Sequence, residues 1–127
     1  MSGSGAIIVI DDSRDIVECL ANVGEFYAHE SCGQCTPCRE GSAWTERVLR
    51  RIEEGKGTEE DLDTLMEVTS QMEGTTICVL SDSVAAPVQS SIRKFRDEYL
   101  ALIRRGERWR SSLRNKQSSR ELLRSAL

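Results

Sequence analysis

The sequence predicts an all-α domain, a four-helix bundle preceded by a short extended segment. Two observations carry this: apolar residues recur at helical spacing in four separate stretches, and the stretches are joined by short connections marked by glycine and proline. Amphipathic helices linked in this way bury their stripes against one another as a bundle. At 127 residues the chain makes one domain, or one domain with a tail.

Residues 2–5 alternate serine and glycine and read as a flexible lead-in. Residues 6–10 form a β-branched run closed by Asp11 and Asp12, a brief strand or the remnant of one. A lone strand is not stable without a partner. The first helix follows, with Ile16, Leu20, Val23 and Tyr27 on its stripe, widened by Val17 and Phe26. Asp12, Ser13 and Asp15 suit its N-terminus, where anionic groups favour the helix dipole. A second helix is expected from Pro37, capped by Thr36, with Trp44, Val48 and Ile52 on its buried face. Gly55 and Gly57 end it. Thr58 with Asp61 resembles a capping box and opens a third helix, whose stripe is Leu62, Leu65, Met66 and Met72, stopped by Gly74. The fourth helix is expected near Pro87, with Val88, Ile92, Phe95, Tyr99 and Ile103 in phase. Beyond residue 105 the pattern weakens, Gly106 interrupts, and a solvated, partly helical or disordered tail is expected. The expected division is thus a lead-in at 1–12, a helical domain at 13–105 and a basic tail at 106–127.

The net charge of −4 hides an asymmetry. Residues 93–127 carry eleven Lys and Arg against four Asp and Glu, so the rest of the chain is strongly acidic. An acidic body argues against nucleic-acid binding, while the basic tail suits an acidic protein surface or RNA. No apolar run is long enough to span a membrane, and the N-terminus lacks the pattern of a signal peptide. The expected location is cytoplasmic, at most peripheral to a membrane complex. Five cysteines, an odd number, argue against a disulfide framework and for thiols that act as ligands or redox groups.

Three of those thiols stand at C-x2-C-x2-C spacing, in Cys32-Gly33-Gln34-Cys35-Thr36-Pro37-Cys38. This spacing is the usual start of a [4Fe–4S] binding run, which takes one thiolate per iron. The fourth ligand is then remote, and Cys78 and Cys19 are the only candidates. Cys78 is preferred because it follows a glycine stop in a loop. Cys19 sits within the first helix among Ile16, Leu20 and Val23, as a small hydrophobe would. The predicted ligands are Cys32, Cys35, Cys38 and Cys78, with the cluster at one end of the bundle.

Gly33 permits a close bend of the loop, and the N–H groups at the start of the second helix would face the negative core. A helix N-terminus favours the more reduced state by about 0.3–1 kcal/mol, roughly 13–43 mV for a one-electron couple. The acidic body acts in the opposite direction. Structural zinc usually takes paired cysteines, which fits a triplet less well. A C-x-x-C thiol redox site lacks its βαβ setting here. A ferredoxin would carry its fourth cysteine soon after the third, before a proline, whereas Val79 follows Cys78. His29 could serve as a ligand or proton carrier, but is rather expected to pack beside the site or hydrogen-bond to the backbone, and Glu30, Arg39 and Glu40 are expected to serve as capping or surface charges.

The stretch Phe26-Tyr27-Ala28-His29-Glu30-Ser31-Cys32-Gly33-Gln34-Cys35-Thr36-Pro37-Cys38-Arg39-Glu40-Gly41 closely resembles the iron–sulfur motif of one family. That family is the NADH- and FMN-binding flavoprotein subunit of respiratory complex I, with relatives in NAD-linked hydrogenases and formate dehydrogenases. Thr76-Ile77-Cys78-Val79-Leu80-Ser81-Asp82 and Ala86-Pro87-Val88-Gln89 are similar to its fourth-ligand region. The resemblance covers roughly residues 3–103. It implies a C-terminal helical domain holding one [4Fe–4S] cluster near the flavin, with Cys32, Cys35, Cys38 and Cys78 as ligands. It also implies flavin-bearing and iron–sulfur subunits of a multi-subunit oxidoreductase as partners. FMN and NADH would sit on a domain or subunit outside these residues, so no catalytic residue is expected here. Ser81 and Ser83 stand where the family is expected to carry glycine, and Ala86 where many relatives carry tryptophan.

Two functions follow as expectations. The first is single-electron transfer through one [4Fe–4S] cluster, as a module or small subunit of an NADH-linked oxidoreductase. The second is a non-redox interaction or assembly module, with a structural or lost metal site and a basic docking tail.

Overall fold

The computed structural model describes residue 5 and residues 7–125, with side chains described to residue 111. Four helices follow in order: α1 (Ile16–Glu30), α2 (Thr36–Glu53), α3 (Glu59–Met72) and α4 (Leu80–Ser125). The fold is all-α, as expected, and no strand occurs among the described residues. Ile7, Ile8 and Val9 lie in the extended lead-in with more than four-fifths of their surface exposed. Among the described residues they have no partner strand to pair with.

α1 packs on α2, α2 on α3, α3 on α4 and α4 back on α1, and α4 also meets α2 across the bundle. The helices share one core, in which Leu49, Ile52, Leu62, Leu65, Tyr99 and Ile103 are fully buried. Each buried aliphatic side chain there contributes about 1.5–3 kcal/mol over its exposed state. With short connections, consecutive helices run in opposite directions. The α1–α2 and α3–α4 loops therefore share one end of the bundle, and the α2–α3 loop lies at the other. This topology brings the two cysteine-bearing segments together.

Several local expectations hold. Asp15 is the N-cap of α1 and its carboxylate accepts the Val17 N–H at 2.8 Å. The Asp61 carboxylate accepts the Thr58 N–H at 2.8 Å in a capping box that starts α3. Gly55 and Gly74 follow the ends of α2 and α3 with φ of 70° and 66°, the left-handed region open to glycine.

Four expectations are corrected. The N-cap of α2 is Cys35, with Thr36 and Pro37 in the first turn. The buried face of α2 is Cys38, Gly41, Ser42, Thr45, Leu49 and Ile52, whereas Trp44 is 53% exposed. Side-chain size is a poor guide here, because small residues let neighbouring helices approach and so occupy the inner face. α4 begins at Leu80, and the stripe of Val84, Val88 and Ile92 runs straight through Pro87. Among its described residues, Phe95 (φ −121°, ψ 27°) has non-helical dihedrals. That break lies between Ser91 and Tyr99, whose buried hydroxyls meet at 2.6 Å.

Finally, Gly106 does not interrupt α4, which continues as helix to Ser125. Gly106 instead lies against Gly55, where a Cβ would land on the Gly55 carbonyl. Arg110 donates to the carbonyls of Gly55 and Gly57. Leu113, Leu122 and Leu123, in the expected tail, lie outside the residues whose side chains are described.

Candidate iron–sulfur centre

α1 ends at Ser31, whose N–H bonds the Tyr27 carbonyl and whose extended backbone (φ −63°, ψ 122°) turns the chain out of the helix. Gly33 takes φ 78°, a bend that any L side chain would resist. Cys35 returns to extended backbone as the N-cap of α2, and Cys38 falls in that helix's first turn. The loop thereby grades its thiols by depth: Cys32 is exposed, Cys35 half-buried and Cys38 buried at 7% exposure.

Arg39 holds the loop from inside α2. Its guanidinium donates to the Gly33 carbonyl at 2.7 Å and to the Glu40 carboxylate at 2.9 Å. Arg39 is thus the exposed charge expected from sequence and, in addition, a brace for the loop. No sequence pattern marks a contact of this span. His29 is exposed on the last turn of α1.

The second segment is the connection from α3 to α4. Gly74 turns the chain, and its N–H donates to the Asp82 carboxylate in the first turn of α4 at 2.8 Å. The Thr76 hydroxyl lies 2.9 Å from the Cys78 carbonyl, to which it can donate, and 2.5 Å from the Ser81 hydroxyl. Ser81, fully buried, can also donate to the Met72 carbonyl at 3.3 Å. Ser81 is thus a hydrogen-bonding post under the loop. Ser83 turns its hydroxyl to the Val79 carbonyl, and Ala86 is exposed. Cys78 is exposed at the end of this loop, between exposed Ile77 and Val79.

A direct contact joins the two segments: the Ile77 N–H points at Cys35 Sγ at 3.5 Å. The residue before Cys78 therefore touches the middle cysteine of the triplet. A second contact comes from the end of α1, where the Ser31 hydroxyl lies 3.3 Å from Cys38 Sγ and either atom can donate. Cys19 stands apart. It is half-buried near the start of α1, roughly 18 Å along the helix from Ser31 at 1.5 Å per residue.

The donor set suits an inorganic cluster. Thiolates are its ligands; Cys35 Sγ already receives a backbone N–H, and the Ser31 hydroxyl beside Cys38 can donate to a thiolate there. The N-cap Cys35 makes no side-chain cap bond, so no cap side chain satisfies the first N–H groups of α2. Among the described residues no three His, Cys, Asp or Glu side chains gather closely enough to share a single ion. A [4Fe–4S] core makes no such demand, since each iron takes its own thiolate.

An α-helical bundle with four thiols at one end, on two adjoining loops and the first turn of α2, has the form of a helical iron–sulfur domain. Residues 18–102 match the family described as the NADH-ubiquinone oxidoreductase-F iron-sulfur binding region, and the chain belongs to that family. Its cofactor is accordingly of the [4Fe–4S] class. The chain is 52% identical over 103 residues to the mitochondrial NADH-ubiquinone oxidoreductase 51 kDa subunit of Neurospora crassa, covering 81% of this chain and 21% of that one. It is likewise 52% identical over 96 residues to an NADH-quinone oxidoreductase subunit of Rickettsia typhi, covering 76% of this chain and 23% of that protein. A crystal structure of an NAD+-reducing [NiFe]-hydrogenase in the H2-reduced state superposes with a TM-score of 0.71 at 35% identity, over 75% of this chain and 17% of that one. The chain thus spans about a fifth of the length of the curated relatives it matches. No helix among the described residues is long and apolar enough to cross a membrane.

Proposed function

We propose that this chain transfers single electrons through one [4Fe–4S] cluster held by Cys32, Cys35, Cys38 and Cys78, as a module of an NADH-linked oxidoreductase. The observation that carries this reading is the Ile77 N–H contact with Cys35 Sγ, which puts the Cys78 loop against the triplet although 42 residues separate the two partners. The family and the names of the relatives support the assignment to NADH-linked electron transfer. Residues 13–105 carry the redox role in this reading, with 106–127 outside it. FMN and NADH belong to other domains or subunits, and the partners are the flavin-bearing and iron–sulfur subunits of the same complex.

When bound, the cluster supplies a one-electron couple. The chain's own residues fix and shelter the ligand sulfurs. Gly33 and Arg39 hold the triplet loop in its bend, while Thr76, Ser81 and Asp82 brace the Cys78 loop from below. Ile77 and Val79 give the Cys78 side an apolar rim. A partner seated on that rim would exclude water and so strengthen every electrostatic contact made there.

Replacing Cys78 by Ser tests the assignment against the non-redox alternative. Loss of the [4Fe–4S] signal and of electron uptake from dithionite, together, is the expected result. A Cys78→Ser protein that keeps a four-iron cluster, with the same cluster retained in Cys78→Ala, would exclude Cys78 as a ligand. One that loses the metal yet supports the complex unchanged would favour an assembly role.

A further inference from the structure

The hydrogen bonds around Cys38 assign a role to a residue that is not itself a ligand. We propose that Ser31 sets the reduction potential of the centre by donating its hydroxyl proton to Cys38 Sγ. This rests on the reading of Cys38 as a cluster ligand.

Ser31 Oγ has two partners. It lies 3.3 Å from Cys38 Sγ and accepts the Gly33 N–H at 3.4 Å. In a free thiol either atom of the first pair can be the donor. A ligand thiolate has no proton, so the hydroxyl must donate to it. The Gly33 N–H already engages the oxygen as an acceptor, which leaves the hydroxyl proton free to turn to sulfur. Ser31 is held for this task as the residue that ends α1, its N–H tied to the Tyr27 carbonyl. Cys38 is the most buried of the four sulfurs, so water competes least for this contact.

The sign follows from charge. Reduction adds one electron and no proton, so the reduced centre carries one more negative charge. A donor on a ligand sulfur stabilises that state more than the oxidised one, and such donors are among the levers that set iron–sulfur potentials. The Ile77 N–H acts in the same sense on Cys35, but it is a backbone group. Ser31 is the donor that a substitution can remove.

The experiment is a mediated, EPR-monitored redox titration of the reconstituted full chain and of Ser31→Ala, Ser31→Thr and Ser31→Val. Thr and Val have nearly the same shape and differ by the hydroxyl, and both tolerate the extended backbone at this position. Loss of the hydroxyl is expected to make reduction about tenfold less favourable, a potential lower by about 59 mV for a one-electron couple. Ala and Val should shift together, Thr should stay near the parent, and all four should bind equal iron. Equal potentials in Thr and Val would overturn the proposal while leaving the four-cysteine assignment standing. Loading of the Ser and Thr proteins but of neither Ala nor Val would also overturn it, and would make the hydroxyl an assembly determinant. A parent chain that binds no cluster defeats the ligand assignment itself, and this proposal with it.

Discussion

The two ends of the bundle solve the same problem in opposite ways. Both present helix termini and glycine turns, and so both present backbone groups that lack intrahelical partners. At the α2–α3 end the protein supplies the partners itself. Asp61 caps Thr58 and pairs with Arg51, Arg110 reaches the carbonyls of Gly55 and Gly57, and Gly106 closes on Gly55. At the α1–α2 and α3–α4 end the first turn of α2 has no side-chain cap, and three of the four site thiols are exposed or half-buried. One end is finished by its own side chains. The other has braces of its own in Arg39, Thr76 and Asp82, and in the proposed reading it is completed by a group that the polypeptide does not supply.

The largest effect that would break this contrast lies in the cysteines. Serine at Cys32, Cys35 or Cys38 should abolish the reduced-cluster EPR signal, whereas Cys19→Ser should load iron as fully as the parent. A Cys19 variant that fails to load would join the two regions and refute the division. Next comes Gly106→Val, whose side chain would meet the Gly55 backbone. Overpacking of this kind costs about 1–3 kcal/mol, to be read from denaturant unfolding of the apo protein. The cluster's EPR line shape should not change, because distant sites add independently. Asp61→Ala removes the reciprocal half of the capping box and a partner of Arg51, for an expected loss of about 1–2 kcal/mol. Its iron content should equal the parent's.

The smallest effect concerns the core between the ends. Burial raises the Tyr99 hydroxyl above its usual pKa, and the hydrogen bond with Ser91 opposes this in part. The folded state therefore keeps its proton where the unfolded chain has lost it. The resulting stability is complete below a pH of about 10 and is lost as pH rises through the folded value. Tyr99→Phe should cost about 1 kcal/mol at neutral pH. The parent's advantage should shrink in alkaline urea titrations. An advantage that grows with alkalinity would contradict the assignment.

What the sequence revealed was local. The capping box at Thr58 and Asp61, the helix start at Asp15, the spacing of Cys32, Cys35 and Cys38 and the loop position of Cys78 are all short-range patterns. The features it hid depend on distant partners. Gly106 looks like a helix breaker until Gly55 is placed against it, and Arg110 looks like tail charge until it reaches a carbonyl 55 residues away. The inner face of α2 was hidden for a related reason. Thr45 and Gly41 are inside and Trp44 is outside because close helix approach, which the sequence does not encode locally, favours small side chains. Pro87 misleads as a helix start because the Val84, Val88 and Ile92 stripe carries the helix through it.

The central claim is that these residues bind a four-iron cluster and cycle it by one electron. Anaerobic iron and acid-labile sulfide analysis of the reconstituted chain, with an EPR spectrum after dithionite reduction, tests it directly. About four irons and four sulfides per chain, with a rhombic half-spin signal on reduction, is the predicted result. Stoichiometric zinc, or a folded protein with no metal at all, would contradict it.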